Sequence, residues 1–319
     1  MLIGISGTPF SGKTEIIKYL QKLGFEFVDF KAKHETKDKL HNNAHTLARD
    51  TVFSTIEELM DHVTLNWRKN FVMVSIKGLN DLELLAKRPF FLHISIDAPS
   101  KTRYSRYLAQ KGESTFEDFM EKSDNETFLT ELSQVMERSQ IKLINNGVLL
   151  KQLNDRLDAL NLTDITRLRP SWDSYFMKLA DLAALRSNCM KRRVGCVIMR
   201  ESRVIATGYN GTPRHMTNCN EGGCSRCNTN STGLSTCLCL HAEENALLES
   251  GRDRIGTNAT LYCNTCPCLT CSIKIVQSGI KEVVYSQSYN MDELSAAVFK
   301  EAGVQLRQFT PPTTGTFVL

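Results

Sequence analysis

Along the first 160 residues, short apolar runs alternate with amphipathic stretches. Residues 2–6 read as a buried strand, and the spacing of Ile16, Ile17, Leu20 and Leu23 predicts a helix from Glu15 to Leu23, closed by Gly24. Strand-like runs recur at 25–30, 71–76 and 90–96 with helical stretches between them, the alternation expected of a parallel α/β sheet. Residues 128–160 read as helical with interruptions, Asn145-Asn146-Gly147 forming a turn, and 161–170 as a linker stopped by Pro170.

A second unit follows. Tyr175, Phe176, Leu179, Leu182, Ala183 and Leu185 predict an amphipathic helix over 173–188, with strands at 194–199 and 203–209. A loop of about 30 residues then runs from Asn210 to Leu240; loops of that length inside a domain are functional or are stabilised by something other than a core. Helices near His241 and Cys268, strands at 259–263 and 282–286, a helix at 292–302 and a strand at 304–309 complete the pattern. The expected division is 1–160, a linker at 161–170, a second domain at 171–312 and a frayed tail at 313–319.

Composition narrows the class. The chain is 41% hydrophobic and 23% charged, ordinary for a globular protein and unlike a disordered or fibrous one. The net charge of +4 lies entirely after residue 160, where 17 basic side chains meet 13 acidic ones, against 22 of each before it. That excess is too small for a sequence-independent nucleic-acid binder, although small anionic ligands remain allowed. No signal peptide and no run approaching the roughly 18 apolar residues of a membrane span is visible. The expected compartment is therefore reducing, the cytoplasm and also the nucleus. All 11 cysteines fall between Cys189 and Cys271, and clustered cysteines in a reducing compartment point to metal rather than disulfides.

The sharpest signal is His241-Ala-Glu243 followed by Pro267-Cys268-Leu-Thr-Cys271. Cys268 and Cys271 open a predicted helix, share one face and gain thiolate character from the helix N-terminus. One His and two Cys make three ligands, the open arrangement of catalytic rather than structural zinc. Glu243, beside the histidine but outside the ligand set, is placed to act as a general acid and base. Together these residues make the H-x-E…P-C-x-x-C signature of zinc nucleobase deaminases, in which an activated water attacks the amino-bearing carbon of the ring. A structural zinc ribbon, with Glu243 as a surface acid, is the competing reading. Glu244 reads as a solvated or helix-lining residue, and Cys196, Cys263 and Cys266 as packing residues.

From Arg169 to about Phe309 the chain resembles the deoxycytidylate deaminase family, most closely its longer fungal-type members with an N-terminal extension. The matching stretches are Pro170-Ser-Trp-Asp-Ser-Tyr-Phe-Met177, Leu185-Arg-Ser-Asn-Cys189, Val194-Gly-Cys-Val-Ile198, Gly208-Tyr-Asn-Gly-Thr-Pro213, His241-Ala-Glu-Glu-Asn245, Pro267-Cys-Leu-Thr-Cys271 and Gln277-Ser-Gly-Ile-Lys281. The resemblance implies a three-layer α/β deaminase fold and hydrolysis of dCMP to dUMP and ammonia for thymidylate synthesis. It also implies a homo-oligomer, often a hexamer, activated by dCTP with Mg2+ and inhibited by dTTP. In such proteins the positions matching Asn210, Thr212 and Tyr289 contact nucleotide, and the one matching Arg252 lies at the effector-sensitive edge. Read as residues alone, Asn210-Gly211 is equally a plain turn and Arg252 an ordinary helix C-terminal cation. Some members hold a second, structural zinc through positions matching Cys189, Cys219 and Cys239. A second zinc is expected here, its fourth ligand drawn from Cys224, Cys227 or Cys237, with free packed thiols as the alternative.

At the other end, Gly7-Thr-Pro-Phe-Ser-Gly12-Lys13-Thr14 fits the P-loop pattern between a strand and a helix, where loop amides, Lys13 and a Thr14-held Mg2+ would meet the phosphates of ATP or GTP. The segment 90–97, with Pro99, Arg103 and Arg106, resembles small nucleotide kinases, so the first unit is expected to be a P-loop kinase-like α/β domain. Asp97 and Asp29 are the candidate Walker-B acids. No acceptor-site motif is visible, which favours nucleotide binding or an inherited scaffold over phosphoryl transfer. A nucleic-acid cytosine or adenine deaminase, a nucleotide kinase and a zinc-stabilised interaction module are the alternatives for the whole chain. Lys191-Arg-Arg193 is the only tight basic run near the motif, and nucleic-acid editors need broader basic and aromatic surfaces.

Overall fold

A computed structural model of the chain describes residues 1–30, 51–76, 78–147, 150–229, 236–288, 293–310 and 315–318. Two compact units are present, Met1–Arg169 with Thr313–Leu319, and Pro170–Pro312. The first unit contains β1 (Leu2–Gly7), α1 (Lys13–Lys22), β2 (Glu26–Phe30), β3 (Thr51–Phe53), α2 (Ile56–Leu65) and β4 (Phe71–Met73). It continues with α3 (Leu79–Ala86), β5 (Phe91–Asp97), α4 (Ser100–Lys111), α5 (Phe116–Phe128), α6 (Leu132–Glu137), β6 (Ile141–Ile144) and α7 (Leu150–Leu160). The second contains α8 (Trp172–Ala184), β7 (Gly195–Arg200), β8 (Arg203–Tyr209), α9 (Ser225–Asn228), α10 (Ala242–Ile255) and β9 (Thr260–Thr265), then α11 (Leu269–Gln277), β10 (Glu282–Gln287), α12 (Glu293–Glu301) and β11 (Gln305–Gln308). A last strand, β12 (Gly315–Val318), belongs to the first unit.

In the first unit every strand pair is parallel, in the order β12-β6-β5-β1-β4-β2-β3. All of β1 is buried, as a parallel strand covered on both faces must be. Ile3 and Ile5 pack with Ile16, Ile17 and Leu20 of α1 and Leu153 and Leu157 of α7, while Leu2 faces the opposite cluster with Leu59, Val63 and Leu82.

Three expectations for this unit are corrected. Residues 128–160 are not wholly helical, because β6 pairs in parallel with β5, Ile94 opposite Ile141. Only Ile141 and Leu143 carry its two-residue period, too short a run to separate strand from helix. The expected linker is folded onto the first unit. Leu162 is fully buried in its core, and the Arg167 guanidinium donates to the Leu160 carbonyl and, at 3.1 Å, to that of Asn161. The expected frayed tail forms β12, which lies parallel to β6 and receives a 3.2 Å hydrogen bond from Arg156 at the Val318 carbonyl. Its backbone is held by the neighbouring strand, a contact invisible in its own sequence.

The second unit is a three-layer α/β/α sandwich on a mixed sheet of order β11-β10-β9-β7-β8. The β7–β8 hairpin is antiparallel, as is β7 against β9, and β9, β10 and β11 run parallel. Alternation along the strands divides the core. Val197, Tyr262 and Val284 meet Phe176, Met177 and Ala180 of α8, while Cys196, Ile198, Leu261, Cys263 and Val283 meet α10, α11 and α12 through Ala242, Ala246, Ile275 and Phe299. Two glycines set the layer spacing. A Cβ on Gly195 would lie 1.9 Å from the Ala180 carbonyl, and one on Gly208 would lie 2.1 Å from that of Ala242. Helix backbone therefore rests directly on strand backbone at both places. Among the described residues no helix is long and apolar enough to cross a membrane.

His93, on β5, is 1% exposed with Nε2 2.8 Å from the Ser6 hydroxyl, and burial lowers its pKa from 6.5 to about 4. The unfolded chain therefore takes up this proton more readily between those values. The stabilising contribution is complete above about pH 6.5 and is lost as pH falls towards 4. The expected loss is on the order of 3 kcal/mol. Urea midpoints measured from pH 7 to 4.5 will show a component of that size in the wild type and not in His93→Leu.

Candidate active site

The first turns of two helices make the centre of the second unit. His241 is the N-cap of α10, delivered by a backbone bridge in which Leu240 and Gly211 exchange hydrogen bonds of 2.9 and 3.2 Å. Cys268 is the N-cap of α11, and Cys271 stands one turn further on the same face. The His241 Nδ1 lies 3.4 Å from both Cys268 Sγ and Cys271 Sγ. A tetrahedral zinc bound by imidazole nitrogen and thiolate sulfur needs an N···S edge of about 3.6 Å, so the three donors fit such an ion and leave a fourth position open. The hydrogen bond from the Cys271 thiol is the main influence holding Cys268 down to about 3, against the opposing effect of burial. The same bond and burial push Cys271 up.

Glu243 is 4% exposed and projects among these groups, with its carboxyl in hydrogen-bond contact with Cys271. Burial raises its pKa above the ordinary carboxylate value, opposed by hydrogen bonding to its own backbone and by the His241 charge. A buried carboxyl beside an open three-ligand site can take a proton from water and return it to a nearby leaving group.

Residues 170–287 match the cytidine and deoxycytidylate deaminase zinc-binding region. Over its whole length the chain is similar to the deoxycytidylate deaminase of Schizosaccharomyces pombe, 49% identical across 99% of each chain. It is also 52% identical to the deoxycytidylate deaminase of Saccharomyces cerevisiae, across 97% of each. The chain belongs to the cytidine and deoxycytidylate deaminase family. Among solved structures, the dCMP deaminase of cyanophage S-TIM5 in complex with dCMP and dUMP is 32% identical over 44% of this chain and 98% of that one, with a TM-score of 0.37. The two yeast relatives span both units, whereas the family's zinc-binding region lies within the second.

The residues expected to meet nucleotide are distributed unevenly. Asn210 is buried, and its side chain is taken up by backbone, Oδ1 accepting from Val194 N and Nδ2 donating to Arg192 O, each at 2.8 Å. The Thr212 backbone N–H donates to Asn188 Oδ1 at 3.3 Å, and its own hydroxyl is buried without a hydrogen-bond partner. Arg252 is exposed, eleven residues beyond His241 on α10, about 16 Å along the helix axis, and past a break in the helical backbone at Gly251. Within one chain the structure does not bring it to the His241–Cys268–Cys271 group. Tyr289 lies outside the described residues.

Three supporting residues escaped the sequence reading. Asn188 links Thr212 to Asn218, Asn264 accepts from Gly195 N at 3.1 Å, and Asn245 donates to Tyr209 O at 2.8 Å. Glu244 is more than a solvated or helix-lining acid. One oxygen accepts from the His241 backbone N–H at 2.9 Å and the other pairs with Lys274 of α11. Its signal was legible as the third residue after a helix N-cap, the position of a capping box.

The loop cysteines converge. The sulfurs of Cys189, Cys219, Cys227 and Cys239 all lie within 4.8 Å of one another, and so do those of Cys224, Cys227, Cys237 and Cys239. Of the three candidates for a fourth partner to Cys189, Cys219 and Cys239, Cys227 is the one in that set. Cys196 and Cys263 are fully buried in the core, and Cys266 is 7% exposed.

In the first unit, Gly7 ends β1, Gly12 is the N-cap of α1, and Lys13 and Thr14 open that helix. The Lys13 ammonium donates to the Gly7 and Thr8 carbonyls at 2.7 and 2.9 Å. The Arg106 guanidinium holds the loop from another side through the Phe10 and Ser11 carbonyls. Of the two candidate acids, Asp97 adjoins the loop, accepting from the Thr8 hydroxyl at 2.5 Å, whereas Asp29 is tied to Ser75 by hydrogen bonds of 2.6 and 3.3 Å.

Because α10 begins directly over Gly208, this glycine controls where His241 and Glu243 stand. Gly208→Ala is expected to cost at least about 2 kcal/mol and to weaken zinc retention. Denaturant midpoint and zinc content after dialysis check both effects.

Proposed function

We propose that the protein hydrolyses dCMP to dUMP and ammonia. The observation that carries this reading is the buried Glu243 carboxyl set against the open His241–Cys268–Cys271 group. The substrate is taken from the deoxycytidylate deaminases that match both units of the chain. Zinc held by His241, Cys268 and Cys271 would supply the Lewis acidity that brings the pKa of a water molecule down to about 7. Glu243 accepts a proton from the water that attacks C4 of the ring and passes it to N3. It then moves a second proton to the C4 amino group as the C–N bond breaks, so that ammonia leaves and a carbonyl remains. Its raised pKa suits a group that must hold a proton and then release it.

Asn210 is assigned a positioning role, joining the 192–194 segment to the end of β8 beneath the substrate loop. Thr212 is assigned a substrate contact, supported by its buried, unpartnered hydroxyl. The exposed Trp172, Tyr175 and Leu182 of α8, with Leu185 just beyond its end, support the homo-oligomer that the family resemblance implies. Wild-type protein with dCTP present is expected to erase the cytosine absorption band of dCMP. Glu243→Ala and Glu243→Gln are expected to fall by about 10²- to 10⁴-fold while keeping their zinc. An unchanged dCMP spectrum with zinc-loaded, folded wild type overturns the assignment.

For the first unit we infer a site for nucleotide phosphates at Gly7, Gly12, Lys13 and Thr14 without phosphoryl transfer. Support comes from the strand–loop–helix placement, the loop shape held by Arg106, and Asp97 beside Thr8. ATP or GTP with Mg2+, at about 100 times its dissociation constant, should stabilise this unit by about 2.7 kcal/mol in the full-length chain. Lys13→Ala should remove the shift. Absence of any shift with both nucleotides overturns the inference.

A further inference from the structure

Five cysteines of the 210–240 loop and Cys189 make a core of their own. Cys219, Cys224, Cys227 and Cys239 are buried together with Cys189 and Cys237 packed on them, and among the described residues no other hydrophobic side chain joins the cluster. These residues come from three places: the segment after α8, the stretch 219–227, and the stretch 237–239. All are free thiols, and their separations exclude disulfide bonds of about 2.05 Å. The sulfur separations are 3.8 Å for Cys189–Cys227, 3.9 Å for Cys227–Cys239, 3.6 Å for Cys227–Cys237 and 3.8 Å for Cys224–Cys237. Four thiolates around one zinc at about 2.3 Å stand about 3.8 Å apart along a tetrahedral edge. These four pairs already have that spacing, and the other pairs within each four-cysteine set lie within 4.8 Å.

The arrangement fits two tetrahedra better than one. The two four-cysteine sets share Cys227 and Cys239, and together they use all six sulfurs with none left over. A single ion in either set would leave two cysteines packed against its ligands without a role. Two tetrahedra joined along one edge require six donors, two of them bridging.

We infer that Cys189, Cys219, Cys224, Cys227, Cys237 and Cys239 hold two zinc ions in one binuclear thiolate cluster, with Cys227 and Cys239 bridging. Cys189 and Cys219 complete one ion, and Cys224 and Cys237 the other. Six thiolates and two dications leave a net charge of −2. Backbone N–H groups meet part of that charge, Met190 N donating to Cys219 Sγ at 3.5 Å and Leu238 N to Cys224 Sγ at 3.4 Å. All-sulfur donor sets suit zinc, and a site closed on every side is structural. Only Leu240 separates the bridging Cys239 from His241, and Leu240 is the residue paired with Gly211. The cluster thus anchors the strand segment that delivers His241, in place of the apolar core the loop lacks.

Metal analysis of freshly purified full-length protein decides the matter, and it does so without reference to activity. Three zinc ions per chain are expected, two in the cluster and one at His241, falling to two in His241→Ala. Two in the wild type, or one, overturns the binuclear assignment, as does iron in place of zinc. Cys224→Ser is expected to lose one ion and Cys227→Ser two. Should these variants fail to fold, cobalt-substituted wild type supplies an independent readout. Thiolate-bridged cobalt ions couple magnetically, so the paramagnetic signal per cobalt falls as neighbouring positions fill. A signal that stays proportional to cobalt content overturns the proposal.

Discussion

Glu244 ties together the two helices on which the site depends. Its carboxylate accepts from the backbone N–H of His241 and pairs with Lys274, so one side chain caps α10 and holds it against α11. His241 and Cys268 are both N-caps, and their side chains meet only if the two helix starts stay adjacent. The geometry of the three donors therefore follows from a capping interaction and an interhelical ion pair, with Gly208 letting α10 settle on the sheet. The Glu244 side chain is 17% exposed and that of Lys274 51%, so solvent screens the ion pair in part and the cap on His241 is the firmer restraint. The same convergence buries Glu243 among the ligands and raises its affinity for a proton.

The loop around the site follows another logic. Between β8 and α10 the chain runs for about 30 residues with little apolar content, and cysteine sulfur takes the place of a core. Hydrogen bonds from Asn188 and Asn210 continue the restraint to Thr212 and to the 192–194 backbone. An all-cysteine core and an asparagine lattice give a polar loop fixed geometry without burying large side chains. This suits a wall that must face a polar substrate. In the first unit the comparable role falls to Arg106, which braces the 7–14 loop through the Phe10 and Ser11 carbonyls.

Much of the site was legible in the sequence because its signals are local. His241 with Glu243 and Cys268 with Cys271 form two pairs spaced by two and three residues at helix starts, where periodicity and capping chemistry set direction. The strand–loop–helix context of Gly7 to Thr14 was legible for the same reason. The β-α alternation of both units followed from apolar runs long enough to show a period. Ile141–Ile144 and Gly315–Val318 did not follow, since a four-residue strand carries too little pattern to identify itself. Asn210, readable either as a turn residue or as a nucleotide contact, has both ends of its amide committed to backbone.

Taken alone, the sequence determined the residues available: one histidine, two cysteines and a carboxylate at helix starts, nine further cysteines, and a glycine-bracketed loop after the first strand of a separate α/β unit. Tertiary structure decided which of those groups meet. It selected Cys227 and Cys239 as the sulfurs common to two four-cysteine sets, placed β12 at the edge of the first sheet, and kept Arg252 away from the site within one chain. Contacts between residues 30 to 170 positions apart depend on how the layers pack, because chain separation by itself imposes no distance between them.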